Sequence, residues 1–254
     1  MIDIHCHILP GLDDGPQSNY LFINMAKEAV KSGITHIYAT PHHLSRSYDN
    51  GKNKIVNLVQ LANLRLNKEN IPLKIHSGQE IRIHHDFFKS LSTGELLTFD
   101  NNGKYILLEL PTDEVPRYIF ELIYELYVHG ITPIIAHPER NRELLKNPNL
   151  LFQMVDDGAL TQITASSILG HFGRRIKSFT GLIIEQNLAH FIASDAHNIK
   201  TRGFFLREAY EQIRKIYGPS QTFFFIENAE SLLNNKSVIS INPLPIRKRK
   251  LKLF

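Results

Sequence analysis

The chain has a single cysteine, Cys6, in 254 residues, and no tryptophan. One thiol excludes an intrachain disulfide framework and makes a cytoplasmic location the expectation. No Cys-x5-Arg loop follows it, so a phosphocysteine route has no nucleophile in its usual setting. No run approaches the ~18 consecutive apolar residues of a membrane span. No basic segment leads into an apolar stretch at the start, so no secretory signal is read. No G-x-G-x-x-G or Walker-type loop follows any predicted strand, which removes the commonest nucleotide sites. Low-complexity tracts, internal repeats and long linkers are lacking too.

What is there is a soluble-type composition, 43% hydrophobic and 21% charged, with enough apolar residues for a substantial core. The sequence pI near 9.0 would suit nucleic acid, but its location argues against that partner. The last residues read PLPIRKRKLKLF, and removing the five charges of Arg247, Lys248, Arg249, Lys250 and Lys252 takes the formal net charge from +4 to −1. The chain therefore divides into one domain over 1–240 and a basic tail over 241–254. The tail is either a solvated end or an electrostatic contact for an acidic partner or an anionic membrane face. Association into homo-oligomers stays open.

Short β-type runs alternate with amphipathic helical patterns. Strands are predicted at Ile2–His5, 35–40, 73–80, 104–110, 131–137, 159–165 and 188–195. Between the early strands, Ser18 can cap a helix that Gly33 stops, and Ile55, Val59, Ala62 and Leu66 recur at helical spacing. Pro116 suits a first helical turn, Phe204–Tyr217 is helical in pattern, and a last apolar run, TFFFI (222–226), follows. This alternation argues for parallel strands with helical crossovers. Seven units in about 200 residues predict an α/β fold, a distorted seven-stranded (β/α)7 TIM-like barrel, with an open doubly wound sheet as the alternative.

In such a barrel the site collects at the C-terminal ends of the strands. Strand one ends in His5 and His7, which share a face, while Cys6 points the other way. Asp13 and Asp14 follow in the next loop. Later strands end in His42 and His43, Gln79 and Glu80, Glu109, His137, and Asp195 with His197. A lone His or Glu at a strand end is commonly structural. Six of seven ends carrying His, Asp or Glu gathers several carboxylates at one mouth, where like charges repel strongly. Cations must neutralise them, and imidazole plus carboxylate without thiolate suits Mn, Zn or Fe. His36, His76, His129 and His190 lie away from that mouth and read as structural; His84, His85 and His171 are undecided.

The series HCH…DDG…PHH…GQE…AHPER…SDAH resembles the polymerase-and-histidinol-phosphatase (PHP) superfamily. With the phrases MIDIHCHILPGLDDGP, GQEIRI, VPRY, IAHPERN and IASDAHN, it is more narrowly similar to bacterial manganese-dependent protein-tyrosine phosphatases encoded with capsule and exopolysaccharide genes. The likeness runs from Met1 to about Asn235. It implies the PHP barrel with up to three metals, Mn2+ above Zn2+ or Fe. It assigns His5, His7, Glu80 and Asp195 to the first metal, with Glu80 bridging to a second completed by Glu109 and His137. Asp14, His42 and His197 would hold the third, with Asp13 as the alternative to Asp14. The implied substrate is an autophosphorylating tyrosine kinase of polysaccharide synthesis, reached in the cytoplasm or at the inner membrane face.

Arg140, three residues after His137, and Arg202, five after His197, should lie at the mouth. A guanidinium fork matches a phosphoryl group. Three rivals remain: a histidinol-phosphate or other small-molecule phosphatase, an amidohydrolase, and a non-enzymatic PHP module. Glu80 and Glu109 on the middle strands count against the amidohydrolase, which usually has lysine and histidines there. The filled ligand set and the absence of an attached polymerase count against the module.

Overall fold

The computed structural model describes residues 1–45, 47–84 and 87–246. The expectations for the basic run Arg247–Lys252 and for His85 lie outside the described residues. The strands are β1 (Ile2–Cys6), β2 (His36–Ala39), β3 (His42–His43), β4 (Lys74–Ser77), β5 (Glu80–Arg82), β6 (Tyr105–Glu109), β7 (Thr132–Ala136), β8 (Leu160–Thr164) and β9 (Phe191–Ala193). The helices are α1 (Asn19–Lys31), α2 (Lys52–Lys68), α3 (Phe87–Ser92), α4 (Ile119–Val128), α5 (Asn149–Asp156), α6 (Ala165–Leu169), α7 (Arg174–Glu185), α8 (Leu206–Tyr217) and α9 (Pro219–Leu233).

All strand pairings are parallel, in the orders β1-β2-β4 and β3-β5-β6-β7-β8-β9. Two of the seven predicted strands are split. Pro41 has no N–H for the ladder, so the second breaks between β2 and β3. The third breaks opposite it at Gly78 and Gln79, where Gly78 N–H donates to Ala39 O (3.0 Å) and Glu80 N–H to Pro41 O (3.1 Å). The outer edges, β1 and β9, meet beyond the ends of the ladders. There Asp195 N–H donates to His5 O and His7 N–H to Ala196 O, both at 2.9 Å. Each of the seven chain passes thus has a hydrogen-bonded neighbour on both sides.

Alternation along each strand separates two cores. Ile37, Ala39, Ile106, Leu108, Ile135, Ile163 and Ile192 face outward under the helices. Ile4, Tyr38, Leu107, Ile134, Phe191 and Ala193 fill the interior, and Ala229 and Leu232 of α9 pack against them from the foot. The apolar run TFFFI is therefore helical, part of the element whose next turns close the barrel. A register shift between Asp3 and Cys6 gives β1 an extra residue, so that Ile4 joins the interior while Cys6 joins the outer core. Ser18 caps α1 as expected, its Oγ accepting from Leu21 N–H (3.3 Å). Helix α4 begins at Ile119, and Pro116 instead forms the turn before it, its carbonyl accepting from Ile119 N–H. The short helices α3, α5 and α6 leave too few periodic residues to be read from sequence.

Candidate metal centre

The interior of the barrel changes character at its C-terminal end. Above the apolar layer come His5 from β1, His7 just after it, Glu80 from β5, Glu109 from β6, His137 after β7 and Asp195 and His197 after β9, all buried. His42 of β3 is slightly exposed, and Asp14 is the open member. All nine residues read from sequence as ligands are brought to this one mouth. The donor atoms of seven of them converge in three overlapping groups: His5, His7 and Glu80; His42, Glu80 and Glu109; and His7, Asp14, His42 and His197; His137 and Asp195 stand outside these groups and touch them through Glu80 and His5. His7 and His42 thus stand between groups rather than in one each. His137 Nε2 meets Glu80 Oε1 at 2.8 Å. Two of the set have left-handed backbone, His137 (φ 34°) and Asp195 (φ 52°), a conformation uncommon outside glycine that turns a side chain back over the strand end.

The donor set fits divalent cations. Gln162 Oε1 accepts from His5 Nδ1–H at 2.8 Å and Asp13 Oδ2 from His7 Nδ1–H at 2.7 Å. In the neutral rings both Nε2 atoms carry lone pairs and face each other at 3.2 Å, a contact that a positive charge between or beside them, proton or cation, relieves; nearby carboxylates favour that charge, Glu80 and Asp195 at His5 and Asp13 at His7. Glu80 Oε2, Glu109 Oε2, Asp195 Oδ1, His42 Nδ1 and His197 Nε2 are buried without a hydrogen bond among the described residues. His42 Nδ1 stands 2.8 Å from Glu80 Oε2 and His197 Nε2 3.1 Å from Asp14 Oδ1, but without the alignment of a hydrogen bond. Atoms aimed at common points rather than at one another are what a cation cluster requires.

The electrostatics agree. Burial works against charge on Glu80 and Asp195, yet His5 and His42 around the first, and Arg140 and His5 around the second, hold both carboxyls well below their usual range. Burial and then the neighbouring Glu80 push Glu109 up to about 7. Burial and Arg140 lower His137 to about 4, leaving a neutral imidazole able to donate a lone pair. Burial opposes protonation of His5, but Glu80 and Asp195 raise it.

The two aspartates of the DDG phrase divide their work. Asp14 Oδ1 faces His197 and His42 Nε2 (3.1 and 3.5 Å), as the resemblance implied. Asp13 turns inward, orienting His7 and accepting from the Gly15 and His42 amides. Arg140 and Arg202 reach the mouth, and both contact Asp195 Oδ2, Arg202 Nη2 at 2.8 Å. Arg140 also lies 5.4 Å from the Phe172 ring centroid. Cys6 is buried on the outer side, its thiol donating to Ala196 O (3.4 Å) and raised well above its usual pKa by burial.

Several supporting residues were missed in the sequence. Gln162, on the one strand without an ionisable end, fixes the tautomer of His5. Asp3 accepts from Ser194 N–H and Oγ–H (2.9 and 2.5 Å), tying β1 to the turn that carries Asp195. Glu139 accepts from Thr164 N–H and Ser167 Oγ–H. Arg82 ties Glu109 Oε2 (3.2 Å) to the Leu110 carbonyl. Asp3, Arg82 and Glu139 lie within the phrases MIDIHCHILPGLDDGP, GQEIRI and IAHPERN, but nothing in their residue types marks them, or Gln162, as supports of the ligands. The histidines read as structural lie apart: His190 accepts from Thr161 N–H, and His36 and His76 pair with each other at 3.0 Å. Of those left undecided, His171 packs edge-on against Phe205.

Comparison with known proteins agrees with this architecture. Tyrosine-protein phosphatase YwqE of Bacillus subtilis (strain 168) is 47% identical over 251 residues, 99% of this chain and 98% of that one. A crystal structure reported for YwqE from Bacillus subtilis and CpsB from Streptococcus pneumoniae, described as unique metal-dependent tyrosine phosphatases, superposes with a TM-score of 0.94 at 46% identity, covering 98% of this chain and 100% of that one. Histidinol phosphate phosphatase from Lactococcus lactis shares the fold at 13% identity and a TM-score of 0.54, covering 85% of this chain and 94% of that one. The family described as capsular polysaccharide synthesis, CpsB/CapC, matches residues 1–234, a span that takes in every side chain of the cluster, and to that family this chain belongs.

Proposed function

We propose that this chain is a metal-dependent protein-tyrosine phosphatase acting on an autophosphorylated bacterial kinase of capsular or exopolysaccharide synthesis. Mn2+ is its cation, up to three per chain. The observation that carries the reading is two arginines converging on Asp195 above a buried imidazole–carboxylate cluster, joined to the naming of the family's relatives as tyrosine phosphatases. His5, His7, Glu80 and Asp195 would hold the first cation, Glu80 with Glu109 and His137 the second, and Asp14, His42 and His197 the third. When bound, such cations make hydroxide available near neutral pH and offset phosphoryl charge.

The chain's own groups do the rest. Arg140 and Arg202 spend some of their five N–H donors on Asp195 and direct the others at the phosphoryl oxygens, where charge grows in the transition state. Asp195 holds the two guanidiniums together. Gln162 and Asp13 hold the Nδ1–H of His5 and His7, so that in the neutral rings the Nε2 atoms face the cluster. A tyrosine leaving group, with a pKa near ~10, needs less protonation than an alkyl alcohol, which favours phosphotyrosine over histidinol phosphate, the second reading.

Turnover of a phosphotyrosyl peptide and of histidinol phosphate by the same sample separates the two. Arg140→Ala and Arg202→Ala should each slow the peptide reaction ~30- to 1000-fold with metal content near normal; parental rates would withdraw the arginines' role. The basic run Arg247–Lys252 adds an electrostatic contact with the acidic kinase segment or the membrane beside it. Deleting 247–254 should slow turnover of vesicle-bound kinase only at low salt, and equal rates would leave the tail as a solvated end.

A further inference from the structure

Beside the metal centre lies a pocket of about 390 Å3 that the chemistry above does not use. Asp14 and His197 form the wall it shares with the cluster, and Pro16, Leu21, Met25 and Ile199 supply the apolar part of the rest, with Asn24 and the loop from Asn198 to Thr201 completing the rim. Leu21 is 43% exposed and Ile199 46% exposed. Large apolar side chains left facing water at a polar mouth call for an occupant. The mouth also opens, past His42 and Glu109, into a groove where Leu44, Tyr48 and Ile83 are mixed with the charged Arg82, Asp113 and Glu114, so the more apolar of the two openings is the one at Leu21 and Ile199.

Ile199 and Arg202 belong to one small loop. Asn198 Oδ1 accepts from the amides of Lys200, Thr201 and Arg202, and Arg202 O accepts from the amides of His197 and Asn198. The guanidinium proposed to hold the phosphoryl group and the side chain at the pocket rim are therefore set by the same hydrogen bonds. Leu21 faces it from the first turn of α1, its own N–H donating to the capping Ser18 Oγ.

We infer that this pocket is the subsite for the aromatic ring of an aryl phosphate, so that Leu21 and Ile199 determine preference for aryl over alkyl esters. The inference rests on the phosphatase reading and deepens it. The ring of a phosphotyrosine is joined to phosphorus through one oxygen, so it must lie directly beside the cations, and the wall formed by Asp14 and His197 is where cluster and pocket touch. An alkyl ester brings no flat apolar body to fill that space. Apolar contacts of this kind discriminate by about tenfold to a few hundredfold between ligands that fill a pocket and ligands that do not.

The test is binding of two phosphonates that are not hydrolysed. Phenylphosphonate and methylphosphonate are titrated calorimetrically into the Mn2+-loaded parent and into the Leu21→Ser/Ile199→Ser double variant. The parent should prefer the phenyl compound, and the variant should lose about tenfold in affinity for it while binding methylphosphonate as before. In parallel, KM for phenyl phosphate should rise and kcat stay near the parent's. A double variant that keeps the phenyl preference, or that weakens equally toward both compounds, would overturn the subsite. Absence of phosphotyrosine turnover in the parent would overturn the underlying reading instead, and it is seen separately because phosphonate binding needs no turnover.

Discussion

At the scale of single residues, the arrangement depends on side chains that never touch the reacting atoms. Gln162 holds His5 by its Nδ1, and Asp13 holds His7 in the same way. Such partners set tautomer and ring orientation, and losing one typically weakens metal binding ~10- to 100-fold. Gln162→Ala should therefore lower Mn2+ affinity by that amount in a chelator competition, with the fold intact; unchanged affinity would mean that packing alone orients His5. His190 belongs to stability instead. Burial depresses it to about 4, and its Nδ1 must stay unprotonated to accept from Thr161 N–H. The unfolded chain, with an ordinary value near ~6.5, binds the proton first as pH falls. Stability should thus be full above ~6.5 and decline toward pH 4, by on the order of 3 kcal/mol. His190→Asn, whose Oδ1 can replace Nδ1, should lack that share of the decline in denaturant titrations; parallel curves would reject the assignment.

At the scale of elements, the site is a matter of where each strand ends and how the chain turns. A Cβ built on Gly15 would lie 2.2 Å from the His7 carbonyl oxygen, a backbone atom that cannot step aside. Gly15→Ala should therefore displace the Asp13–Asp14 loop, lower metal occupancy and reduce activity; a variant with parental metal content would show that the loop can shift without loss. Much of this level was legible beforehand. The H-x-H spacing on β1, the PHH and GQE ends and the SDAH turn follow from period-two alternation and from strand ends lying at one mouth. Less legible were the breaks at Pro41 and Gly78, because the run on either side is apolar enough to read as one strand. TFFFI was harder still: its aromatic residues have strand preferences, and only packing against the barrel foot makes α9 a helix. Gln162 could not be found at all, since an amide on an apolar strand looks the same whether it orients a ligand or bonds to backbone.

At the scale of the whole molecule, the barrel is a device for bringing distant side chains to one point. Residues 5 and 195, far apart in sequence, approach within 3.5 Å across the seam between β1 and β9, and Glu80 links them to β7 through His137. No helix among the described residues is long and apolar enough to cross a membrane. The central claim is that the nine candidate ligand side chains act as one cation-binding unit on which phosphoester hydrolysis depends. The most direct measurement is of metal equivalents per chain and phosphotyrosyl-peptide turnover on one sample, before chelation, after it, and after Mn2+ is restored, with Cys6→Ser beside the parent. The account predicts more than one equivalent of divalent metal, turnover that vanishes and returns with it, and a Cys6→Ser variant that keeps most of its rate. Full turnover by the metal-free protein would contradict it.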